Sequence, residues 1–110
     1  MKPRKHLIEP ISMMAQDAVR IASGWLWEHL PDRFGPSDPI FDDKQQQLHV
    51  PVVLAYPGMV VGQVGEIVID ARGGQIVSHT DIEEIKALGL KLGRKHRAKV
   101  RAAFLRARNA

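Results

Sequence analysis

Residues 47–79 read QLHVPVVLAYPGMVVGQVGEIVIDARGGQIVSH, and this stretch decides the fold. Leu48 to Tyr56 and Met59 to Ala71 are two β-branched runs separated by Pro57-Gly58, the pattern of a hairpin. Proline fixes φ and glycine accepts φ > 0, so the pair suits the central positions of a type II turn. Arg72-Gly73-Gly74 predicts a second turn, and Gln75 to His79 a third strand. Pro51 has no amide hydrogen to donate. The first strand therefore lies at an edge, or turns position 51 outward from the ladder.

On either side the periodicity changes from two to about 3.6 residues. Met14, Ala18, Ile21 and Trp25 form an apolar stripe widened by Val19, Ala22 and Leu26, with Ser12 placed to cap the helix and Pro31 to end it. Pro31 to Lys44 has the composition of a loop, with Ile40 and Phe41 as points of attachment. After the strands, Thr80-Asp81-Ile82-Glu83 reads as a capping box opening a second helix, with Ile82, Ile85 and Leu88 or Leu92 as its apolar face. Gly89 and Gly93 predict a break, followed by a further helix over Arg94 to Arg108. The expected fold is α+β: an N-terminal helix packed on a three-stranded antiparallel sheet, then one or more C-terminal helices. Its expected divisions are a basic arm over 1–11, a core over 12–90 and a basic helical segment over 91–110.

The charge layout reinforces that division. The net charge of +4 is made of +3 in residues 1–5, −7 in residues 6–90 and +8 in residues 91–110. The last segment holds Lys91, Arg94, Lys95, Arg97, Lys99, Arg101, Arg106 and Arg108 without one acid. A polybasic segment attracts phosphates or acidic protein surfaces locally, whatever the total charge. Nucleic acid, an acidic protein, or the acidic middle of a second copy are all admissible partners; a solubilising helical face is the plain alternative. Phe104 is the segment's only aromatic, so no base-stacking platform is evident.

The absence of cysteine excludes disulfide scaffolds, thiolate nucleophiles and Cys-based metal sites. No apolar run approaches the ~20 residues of a membrane span, and a cytoplasmic location is expected. No Ser, Asp or Glu stands in a recognisable nucleophile or acid/base arrangement. The chain is expected to be non-catalytic and to need no cofactor. Gly62-x-x-Gly65 and Gly73-Gly74 lack the strand-to-helix setting of phosphate loops and read as a bulge and a turn.

Counting outward from the two turns places His49 opposite Glu66 and His79 opposite Glu66, one polar row across the sheet. Two imidazoles around a carboxylate are a candidate Zn²⁺ or divalent-ion set; a solvated row with a His–Glu hydrogen bond is the preferred alternative. The same register puts Leu48, Val50, Val52, Leu54, Ile67, Ile69 and Ile76 on the face under the first helix. Val53, Val64, Val68 and Val77 fall on the other, which needs cover from the C-terminal helices, a second copy or another protein. Trp25 belongs to the core stripe and Trp27 to its margin.

Gly65 to Val77, with its Ile69-Asp70-Ala71-Arg72-Gly73-Gly74 turn, resembles the strand–turn–strand end of PepSY-type domains, where a V-D-A-x-x-G-x-V run follows a helix and an earlier strand. Ile69 and Ile76 replace valines of that run, and Pro51 and the basic C-terminal segment depart from it. The resemblance implies a small α+β module that binds or inhibits a protein and carries no catalytic residue. The first function expected from the residues is a non-catalytic interaction module that docks a partner through the second sheet face, with the basic tail adding electrostatic attraction. A regulatory role, such as the antitoxin half of a small bacterial toxin–antitoxin pair, would suit it. Nucleic-acid binding through residues 91–108 is the second function expected, and a metal-dependent enzyme using His49, Glu66 and His79 the third.

Overall fold

A computed structural model describes the backbone of residues 2–109 and the side chains of residues 15–108. It is α+β, with an N-terminal helix α1 (Lys2–His29), strands β1 (Phe34–Pro36), β2 (Ile40–Asp42), β3 (Gln47–Tyr56), β4 (Met59–Asp70) and β5 (Ile76–His79), and helices α2 (Ile82–Lys95) and α3 (Arg97–Asn109). The antiparallel sheet runs β1-β3-β4-β5, with β2 also paired to β3. The expectation of three strands is corrected to five. The loop composition of 31–44 hides β1 and β2, each of three residues and too short to show a period.

Pro51 explains how those two strands share one edge. β1 pairs as far as Pro36 with Val52, β2 begins at Ile40 with His49, and between them Ser37 N–H donates to the Pro51 carbonyl at 2.8 Å. In an antiparallel ladder the N–H and C=O of one residue point the same way. The missing Pro51 donor therefore faces the gap between β1 and β2, where no ladder partner needs it.

The β3–β4 turn forms as expected, with Tyr56 opposite Met59 and Gly58 at φ +72°. Two bulges then leave Val61 and Val64 without cross-strand partners, and the remaining register is shifted by two residues: His49 faces Val68, and Pro51 faces Glu66. Between β4 and β5 there is one bulge, at Val77, so Ile69 meets Ile76 but Ile67 meets His79.

Leu48, Val50, Val52, Leu54, Ile67 and Ile69 form the buried face with Ala18, Ala22 and Leu26 of α1. Val64, expected on the opposite face, joins this core at 1% exposure because its bulge turns it inward. α2 packs on the same side: a Cβ at Gly65 would meet Thr80 and Ile85, and one at Gly62 would meet Leu92, while Gly65 and Gly62 pair with core-facing Val52 and Leu54. Helix α2 is thus not the cover of the second face. It runs unbroken through Gly89 and Gly93 and ends at Lys95, with His96 as its C-cap, so the expected break falls later. A Cβ at Gly89 would lie 2.7 Å from the Phe34 ring, which gives that glycine a packing reason.

The two expected caps also move. α1 begins at Lys2, placing Ser12 inside it, and Pro3 in the first turn is compatible with that start. Thr80 does not cap α2: its hydroxyl accepts the Glu66 N–H at 2.9 Å, and its own N–H donates to the Glu66 carbonyl at 3.0 Å. Thr80 extends the sheet contact by one residue, and Asp81 becomes the N-cap without a side-chain bond.

Candidate anion-binding surface

Lys91, Arg94, Lys95, Arg97, Lys99, Arg101, Arg106 and Arg108 are all exposed. None forms an ion pair among the described residues, where the pairs are Arg20–Asp17, Lys86–Glu83 and two involving His49. Ala103 anchors α3 at 0% exposure. With about 3.6 residues per turn, Arg97, Arg101, Phe104 and Arg108 form one stripe, and Leu105 lies beside it. Phe104 and Leu105 are 44% and 47% exposed. On the other flank Lys99, Ala102 and Arg106 line a depression together with Met59 and Val60 at the hairpin tip. The surface therefore mixes cations with apolar groups.

Arg33 belongs to this surface although its position in the sequence gives no sign of it. Its guanidinium lies 5.5 Å from the Tyr56 ring centroid and 5.8 Å from that of Phe104, and the two rings meet edge to face at 5.3 Å. Beside it opens a cavity of 520 Å³ lined by Pro31, Arg33, Phe34, Leu54, Tyr56, Lys86, Gly89, Leu90, Gly93, Arg94 and Arg97. The signal that sequence reading missed is Gly89 and Gly93, one turn apart: they mark a bare helix face and not a break.

The structure brings two of the three candidate metal ligands together. His49 Nδ1 is 3.3 Å from Glu66 Oε1, because a shift of two residues keeps both side chains on one face as diagonal neighbours. His49 Nε2 lies 3.8 Å from Asp42 Oδ2 on β2. His79 is not brought to them. The single bulge at Val77 turns it to the opposite face, where its ring lies 4.5 Å from that of Trp25 and its Nδ1 is 2.9 Å from the Thr80 carbonyl. No group of three His, Asp or Glu suited to a metal ion occurs among the described residues. Trp25 also stacks on His29 at 4.6 Å, and its neighbour Trp27 is 78% exposed.

Of the valines expected at an interface, Val53 is half-buried and shares the second face with Val68, which is 6% exposed and outside the main core. Val77 is 53% exposed on the outer strand β5. No described helix is long and apolar enough to cross a membrane. Comparison with protein-family models, curated proteins and solved structures finds no match to this chain.

Proposed function

We propose that the protein is a non-catalytic interaction module that docks an acidic protein surface through its α2–α3 arm. The observation that carries this reading is the set of eight exposed bases, unpaired among the described residues, interleaved with exposed Leu90, Phe104 and Leu105. Cations steer and orient an acidic partner, and the apolar groups supply contact area that salt does not screen. A module of this kind fits what the PepSY-type resemblance around Gly65–Val77 implies, and an antitoxin-like regulatory role is compatible with it. Nucleic-acid binding is the second reading, favoured by the Arg97-Arg101-Arg108 stripe, whose spacing puts successive guanidiniums on one side of the helix.

Charge substitution tests the reading more cleanly than truncation, since loss of residues 91–110 would also remove Leu92 and Ala103 from packing. The probes are a labelled amphipathic peptide rich in Glu and Leu and a labelled DNA duplex, followed by fluorescence anisotropy through a salt series. Peptide binding is expected to survive at about 150 mM salt while duplex binding falls away, and Arg101→Gln/Arg106→Gln/Arg108→Gln should weaken the duplex more than the peptide. Duplex binding that persists at that salt, with the peptide unbound, would replace the first reading by the second.

A further inference from the structure

The cavity between α2 and the β1–β3 edge adds Arg33, Phe34 and Leu54 to residues of the α2–α3 surface. Its apolar lining is Pro31, Phe34, Leu54 and Leu90. Its space lies where α2 presents no side chain at Gly93, the other bare turn, at Gly89, being filled by a ring. Gly89 lets the helix rest on the Phe34 ring, and at Gly93 nothing lies closer to a hypothetical Cβ than the Tyr56 hydroxyl, at 4.0 Å. Four cations, Arg33, Lys86, Arg94 and Arg97, are among the lining residues, which include no carboxylate. Lys86 has Glu83 at 3.7 Å; the three guanidiniums have no acidic partner among the described residues. The cavity's 520 Å³ lies within the span of small-molecule sites, which are typically apolar with a few convergent polar groups.

Like charges gathered at one opening repel each other, and a bound anion relieves that repulsion. The Arg33 guanidinium lies close to the Tyr56 and Phe104 rings, a cation–π contact that favours its place beside the cavity. The aromatic and aliphatic lining offers nothing to a bare inorganic ion, and the cationic lining gains nothing from a neutral hydrophobe. We propose that this cavity binds a small amphipathic anion. Its apolar body lies over Phe34 and Leu54, and its carboxylate or phosphate head is held by Arg33, Arg94 and Arg97. The site shares Leu90, Arg94 and Arg97 with the proposed docking surface, and its test uses no macromolecule.

The test uses the full chain labelled with ¹⁵N, titrated with decanoate and with decyl phosphate, and with decanol and inorganic phosphate as single-feature controls. At least one of the two amphiphiles is expected to shift the Gly89 and Gly93 amide signals and to bind about tenfold more tightly than either control. Which of the two binds better identifies the head group. Gly93→Leu fills the space from the helix side and should abolish binding, with a melting temperature at or above that of the parent showing that the fold is kept. Arg33→Gln/Arg94→Gln should weaken binding by about tenfold or more, whereas Lys44→Gln, on an exposed turn, should leave it unchanged. Decanol binding as tightly as the anions, or undiminished binding by folded Gly93→Leu, would overturn the proposal.

Discussion

Gly89 and Gly93 offer the sharpest test of how α2 is seated, because one substitution should act with opposite signs one turn apart. Replacing glycine by alanine inside a helix gains about 1 kcal/mol from propensity, and somewhat less near an end. At Gly93 the new methyl meets nothing closer than 4.0 Å, so the gain stands alone and amounts to about 0.5–1 kcal/mol. At Gly89 the methyl carbon would sit 2.7 Å from Cε1 and Cζ of Phe34, where carbon atoms ordinarily need about 3.5 Å or more. Phe34 itself packs against the core. Displacing the ring or lifting the helix is an overpacking change of about 1–3 kcal/mol. Set against the propensity gain, Gly89→Ala should lose up to about 2 kcal/mol, leaving the two variants about 0.5–3 kcal/mol apart. For a domain of this size each kcal/mol moves the melting temperature by roughly 4–8 °C. Calorimetry and urea denaturation of both variants, with unchanged m-values confirming the same two states, measure the difference. Equal stabilisation by the two substitutions would refute the close seating of α2 on Phe34.

Two further perturbations probe the β4–β5–α2 junction. Thr80→Val should lose about 1 kcal/mol, since it removes the hydroxyl that accepts the Glu66 N–H at 2.9 Å. A double-mutant cycle with Glu83→Gln should then show no coupling, whereas coupling above about 0.5 kcal/mol would restore the capping box. His79→Ala removes a ring 4.5 Å from Trp25 and should destabilise by about 0.5–1.5 kcal/mol. In a Trp27→Phe background it should also expose the Trp25 emission to iodide quenching. Unaltered quenching would place His79 elsewhere, on the face with His49.

Bulges account for what the sequence showed and concealed about the candidate sites. Each bulge advances a register by one residue and exchanges the two faces beyond it. The β3–β4 ladder has two, so parity returns and His49 still meets Glu66, although as a diagonal neighbour. The β4–β5 ladder has one, so His79 crosses to the side of Trp25 and the three-residue cluster does not assemble. Gly62-x-x-Gly65 reads as a bulge, and the unpaired Val61 and Val64 lie at that segment. Nothing in it sets how many extra positions there are, because a valine suits a bulge, an inward site or an outward site about equally well.

Local chemistry was enough for the order of the elements. Pro57-Gly58 specified the hairpin turn, the alternation from Leu48 to Leu54 specified a core face, and the stripe through Ala18, Ala22 and Leu26 specified a covering helix. These follow from interactions within a few residues, which the chain carries wherever it goes. The third dimension decided which side α2 covers, how β1 and β2 divide the edge at Pro51, and which of the basic residues share a surface. Arg33, Leu54, Gly93 and Arg97 line one cavity although they are spread over much of the chain. That grouping depends on how twisted, bulged strands set a helix against them, and on the two bare turns of that helix, which in sequence read only as interruptions.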